Sequence, residues 1–120
     1  MTARRIGHLL VAVGLALSLV GCGGGAGAAS QASPVATNQV DLPKSYKFAP
    51  AAIVVPAGST VTWTNHDDFT HNVTLPDGTP ALTMSPGQTA THTFAAPGEF
   101  DYLCSLHPKD MRGRVVVTPS

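Results

Sequence analysis

From Lys44 onward the apolar residues come in short runs, and Pro and Gly interrupt them about every ten positions. Residues 52–55 form an apolar run that stops at Pro56-Ala57-Gly58. Residues 60–65 alternate, with Val61 and Trp63 on one side and Thr60, Thr62 and Thr64 on the other. That period of two marks a half-buried strand. Residues 71–75, 89–94, 99–104 and the β-branched run 114–118 repeat the pattern, separated by Pro76-Asp77-Gly78, Ser85-Pro86-Gly87 and Ala96-Pro97-Gly98. Nothing in this part carries the period of a long helix, and there is no internal repeat. The pattern predicts an all-β chain of about six to eight strands, arranged as a sandwich or barrel.

The first 43 positions read differently. Arg4 and Arg5 precede an apolar stretch over residues 6–20, broken by Gly7, His8, Gly14 and Ser18. It is too short and interrupted for a membrane-crossing helix and has the layout of a signal peptide, residues 1–21. Leu19-Val20-Gly21-Cys22 resembles a bacterial lipobox, so Cys22 is expected to carry lipid and hold the protein at the membrane. Gly, Ala, Ser, Gln, Thr and Asn then dominate up to about residue 40, which predicts a flexible tether over residues 22–43. The folded domain is expected at residues 44–120, near the lower size limit for independent folding.

Charge narrows the choice of partner. The chain has seven Lys and Arg and seven Asp and Glu, and Arg4 and Arg5 belong to the expected signal. The remainder is slightly acidic and has no basic run to grip phosphates, so nucleic acid is not an expected partner. The chain has two cysteines, Cys22 and Cys104. With Cys22 lipidated, Cys104 has no partner in the chain. A lone thiol outside the cytoplasm is a liability unless it is buried, paired with another molecule or bound to metal.

Strand parity places Phe100, Tyr102 and Cys104 on one face, and two aromatics mark that face as core. Cys104 therefore points inward at the end of a strand. His107 and Met111 follow at once, with Pro108 shaping the loop. His71 opens another strand after the polar turn Asn65-His66-Asp67-Asp68 and shares parity with Val73 and Leu75. Two imidazoles, a thiolate and a thioether suit copper: Cu(I) favours soft sulfur, and Cu(II) accepts imidazole. Zinc is the rival, but structural zinc sites favour more Cys and seldom use Met.

Other candidates have plainer readings. His66 is expected at the surface and His92 at a sheet edge. Met84 is expected to cover a loop, though its thioether is a conceivable rival to Met111. Asp67 and Asp68 read as a solvated turn, and Trp63 and Tyr102 as core. A Cys104–His107 nucleophile and base pair lacks a recognisable orienting group or oxyanion loop.

The segments Gly58-Ser59-Thr60-Val61-Thr62-Trp63-Thr64-Asn65, His71-Asn72-Val73 and Pro97-Gly98-Glu99-Phe100-Asp101-Tyr102-Leu103-Cys104-Ser105-Leu106-His107-Pro108 resemble the cupredoxins, nearest to plastocyanin and amicyanin. The resemblance spans about residues 46–118. It implies a Greek-key β-barrel with one type 1 copper ion held by His71, Cys104, His107 and Met111. It also implies that Asn72 braces the ligand loop near the Cys sulfur. Three residues separate His107 from Met111, between the two usual in amicyanin-like loops and the four usual in plastocyanin-like ones.

The expected function is one-electron transfer between extracytoplasmic redox partners, with no bond chemistry. The protein is expected to be a monomer in the periplasm or on the outer face of the cell membrane. His107 would be the electron port, lined by Leu106, Pro108, Pro80 and Ala81. Two other classes remain: a copper-handling protein that stores or delivers the ion, and a zinc-bound or metal-free recognition module.

Overall fold

The computed structural model describes residues 32–120, and the architecture is all-β. Nine strands follow one another: β1 (Val35–Ala36), β2 (Gln39–Leu42), β3 (Ala52–Pro56), β4 (Ser59–Asn65), β5 (His71–Val73), β6 (Leu82–Met84), β7 (Thr89–Phe94), β8 (Gly98–Leu103) and β9 (Arg112–Thr118). One sheet has the order β1-β3-β9-β8, a second has β2-β4-β7, and β5 pairs with β6. An antiparallel bridge between Thr74 and Leu103 ties the β5–β6 pair to β8. The sheets enclose one apolar core.

The alternation in β4 accounts for its place. Val61 and Trp63 are fully buried, whereas Thr60, Thr62 and Thr64 are not. Val40 and Leu42 from β2, Ile53 and Val55 from β3, Phe94 from β7 and Val115 and Val117 from β9 complete the interior. Tyr102 stands at its centre, edge-on to Phe48 at 4.8 Å and to Trp63 at 5.5 Å between ring centroids. Gly113 lies opposite Tyr102 in the β8–β9 ladder, and the ring occupies the space a side chain there would fill. The turn Ser85-Pro86-Gly87-Gln88 has Gly87 at φ 82° and an N–H of Gln88 bonded to Ser85 O at 3.0 Å. Pro second and a left-handed Gly third is the sequence a type II turn requires.

Two expectations are corrected. The boundary at residue 44 falls too late, because β1 and β2 lie inside the segment read as tether. β2 runs parallel to β4, pairing Val40 with Trp63 and Leu42 with Asn65, and its two apolar residues are core. The polar composition around this strand hid a short alternation that pairs with a partner about twenty residues away. Met84 is likewise not a loop cover. It is fully buried on β6, directly across from His71. The expected signal peptide and Cys22 lie outside the described residues.

Candidate metal centre

β8 ends at Leu103, and Cys104 follows on the inward parity, fully buried. The loop after it is closed by its own hydrogen bonds. The N–H of His107 donates to Cys104 O at 3.1 Å, and the N–H of Met111 donates to His107 O at 3.0 Å. The N–H of Cys104 then donates to Met111 O at 3.0 Å, which continues the β8–β9 pairing. The bond from Met111 back to His107 is one helical turn. Residues four apart in such a turn share a side, which is what the three-residue gap accomplishes. Met111 is fully buried, and His107 is only half-buried at the outside of the loop.

His71 comes from the other direction, at the first position of β5, and is fully buried. The loop that delivers it is organised by Asn65, whose Nδ2 donates to Phe69 O at 2.8 Å and Met84 O at 3.0 Å. Asn65 Oδ1 also accepts from the N–H of Asp67 at 2.9 Å. Asp67 in turn places Oδ2 at 2.8 Å from His71 Nε2. The reading of Asp67 and Asp68 as one solvated turn is therefore half wrong. Asp68 is exposed and pairs with Lys44, but Asp67 is 5% exposed. The hydrogen bond with His71 holds the Asp67 carboxyl below its usual range, against the opposing effect of burial.

That contact selects one tautomer of a neutral ring. The ionised carboxylate accepts the hydrogen on Nε2, so the free lone pair of the neutral ring is on Nδ1. Nδ1 is the nitrogen that faces Cys104 Sγ, at 3.9 Å. Two donors bound to one ion at metal–sulfur and metal–nitrogen lengths of about 2.3 and 2.0 Å stand about 3.7 Å apart across a trigonal angle. The observed separation is close to that span and long for a direct bond. The His107 ring lies beside the pair, its centroid 5.3 Å from that of His71. Among the described residues, no three His, Cys, Asp or Glu side chains already converge on one point. The nitrogen and sulfur types, their burial and the spacing of the inner pair nonetheless fit a copper ion.

Asn72 ties the two halves together. Its backbone N–H points at Cys104 Sγ at 3.4 Å. Its side chain donates to Ser105 Oγ at 2.7 Å and accepts from the N–H of Ser105 at 2.9 Å and from Thr74 Oγ1 at 3.0 Å. A backbone donor aimed at sulfur orients the Cys104 side chain.

The remaining candidates stay apart. His66 is exposed and pairs with Asp41. His92 is on β7, an edge strand, with its ring edge-on to Phe94 at 4.9 Å. Trp63 and Tyr102 are core. Reasoning from sequence overlooked Asp67, which meets His71, and the stacked pair Tyr46 and Phe69, of which Tyr46 has its ring centroid 4.7 Å from that of His107. Asp67 had a signal in its four-residue spacing from His71. Tyr46 had none, since nothing along the chain connects its loop to the ligands.

A family model described as a cupredoxin-like domain matches residues 12–117. An amicyanin-alpha from Methylorubrum extorquens is 38% identical over 100 residues, which is 78% of this chain and 82% of that protein. A chloroplastic plastocyanin from Tetradesmus obliquus is 36% identical over 83 residues, and the match spans 57% of its length. Among solved structures, a purple cupredoxin from Nitrosopumilus maritimus superposes with a TM-score of 0.59 at 30% identity, covering 67% of this chain and 98% of that one. An amicyanin variant in its Cu(I) form gives a TM-score of 0.60 at 38% identity, covering 70% and 86%.

Proposed function

The chain belongs to the cupredoxin-like family, and on that premise we propose that it is an extracytoplasmic one-electron carrier with a single copper ion held by His71, Cys104, His107 and Met111. The observation that carries this reading is the buried pair of His71 Nδ1 and Cys104 Sγ, 3.9 Å apart, with the other imidazole nitrogen already committed to Asp67. When bound, copper supplies a couple between Cu(I) and Cu(II).

The work of the chain is to keep one arrangement for both states. Asp67 fixes the His71 ring, and Asn72 fixes the Cys104 loop against β5. Cys104, His71 and Met111 are shut off from solvent. His107, half-buried, is the proposed ligand nearest to water and so the proposed electron port. Leu106, 55% exposed, and exposed Pro108 lie beside it. A partner docking there is expected to bury less than about 1,200 Å² in total, as transient redox encounters do. The lipid expected on Cys22 would keep the carrier beside membrane-bound partners.

The test is to load the purified protein with copper and record its visible spectrum and voltammogram. An intense visible band when oxidised, and reversible cycling with the metal retained, support an electron carrier. His107→Ala should abolish the normal band, and Met111→Leu should keep colour but shift the potential. An oxidised, copper-loaded sample without colour ends the proposal. Loss of the ion on each cycle favours a copper-handling role instead.

A further inference from the structure

Tyr46 lies in the loop between β2 and β3 and belongs to none of the motifs above. Among the described residues it is the one non-glycine residue with a positive φ, 51°. Residues with a Cβ enter that left-handed region infrequently, because the side chain crowds the backbone. Where the chain adopts it, the ring reaches the metal centre. It meets His107 edge-to-face, with centroids 4.7 Å apart and planes at 67°. It stands 5.9 Å from His71 at 89°, and it stacks on Phe69 at 5.9 Å and 22°.

The loop is fastened on both sides of this residue. The N–H of Ser45 donates to Pro43 O at 2.7 Å, and Lys44 Nζ is 2.9 Å from the Asp68 carboxylate. Phe48 is buried against Tyr102. A backbone conformation of this kind persists only where its surroundings impose it. Here they impose it on a side chain whose ring lies against both imidazoles. Tyr46 is 40% exposed, so its ring forms the boundary between the imidazoles and water.

We infer that Tyr46 is a lid and a positioning residue: its ring clamps the His107 imidazole and bars small ligands from the outward side of the metal. The inference rests on the copper reading of the site, but its first test needs no copper. Tyr46→Gly removes the ring and also relieves the positive φ, so the fold is expected to survive. Tyr46→Phe keeps the ring and drops the hydroxyl.

In the metal-free protein, NMR relaxation of the His107 ring carbons should show a clear loss of order in the Gly variant and none in the Phe variant. In the copper-loaded protein, imidazole should perturb the visible band of the Gly variant at a concentration at least tenfold below that needed for the parent, with the Phe variant parent-like. Equal His107 order, or equal sensitivity to imidazole, in the parent and the Gly variant overturns the lid. So does a Phe variant that behaves like the Gly one, because the hydroxyl would then be the acting group. A colourless copper-loaded parent overturns the copper reading alone, and the metal-free comparison still decides the role of Tyr46.

Discussion

Replacing Gly113 with Ala probes the packing that holds the centre from behind. A Cβ at this position would lie 2.3 Å from Cζ, 2.4 Å from Oη and 2.7 Å from Cε2 of Tyr102. Carbon atoms rest about 3.5–4.0 Å apart, so the ring and β9 would have to separate by about 1 Å or more. The ring has no free direction: it is 3% exposed and wedged between Phe48 and Trp63. Overpacking a tight core costs about 1–3 kcal/mol, and a methyl forced against a stiff, enclosed ring belongs in the upper half of that range. At about 4–8 °C per kcal/mol for a domain of this size, the melting midpoint should fall by about 10–20 °C. The measurement is urea and thermal unfolding of the metal-free protein, read by fluorescence of its single tryptophan, Trp63. The metal is left out because a bound ion would add its own stabilisation. The same substitution made together with Tyr102→Ala should cost under about 0.5 kcal/mol beyond Tyr102→Ala alone, since the obstacle is gone. A Gly113→Ala protein as stable as its parent, or an equal loss in both backgrounds, refutes the steric account.

Asp67→Ala should weaken copper binding by about 10–100-fold, with Asp67→Asn recovering part because its amide oxygen still accepts from His71 Nε2; competition against a chelator measures it, and an unchanged affinity for the Ala variant removes Asp67 from the site. Burial raises the Tyr102 phenol far above its ordinary value of 10.0. Its folded pKa therefore exceeds its unfolded one, so the stabilisation is complete below pH 10 and is lost as pH rises beyond it. Tyr102→Phe should flatten this alkaline loss in pH-dependent urea melts. It should cost little at pH 7, because Tyr102 Oη is buried without a hydrogen bond; an unchanged alkaline limb contradicts this reading.

The sequence showed most of the barrel because its strands alternate cleanly between turn residues, as in β4 and β8. It did not show β2, whose Val40 and Leu42 sit in polar company and gain their meaning only from pairing with β4. The four proposed ligands were legible from donor chemistry and parity. The separation of Asp67 from Asp68 was not, since adjacent carboxylates look alike until the backbone turns one inward. Tyr46 was invisible for a different reason. Its approach to His107 is set by a folded loop and a left-handed backbone, which no local residue pattern encodes.

The ninth strand is not at a margin: β9 lies between β3 and β8, parallel to one and antiparallel to the other. That sheet cannot be complete without β9, so its closure joins segments far apart in the chain. Cys104, His107 and Met111 all lie between β8 and β9 and are drawn together by the same closing step. A copper ion would therefore meet all four proposed ligands only in the closed barrel, because His71 comes from β5 and the other three from the segment between β8 and β9.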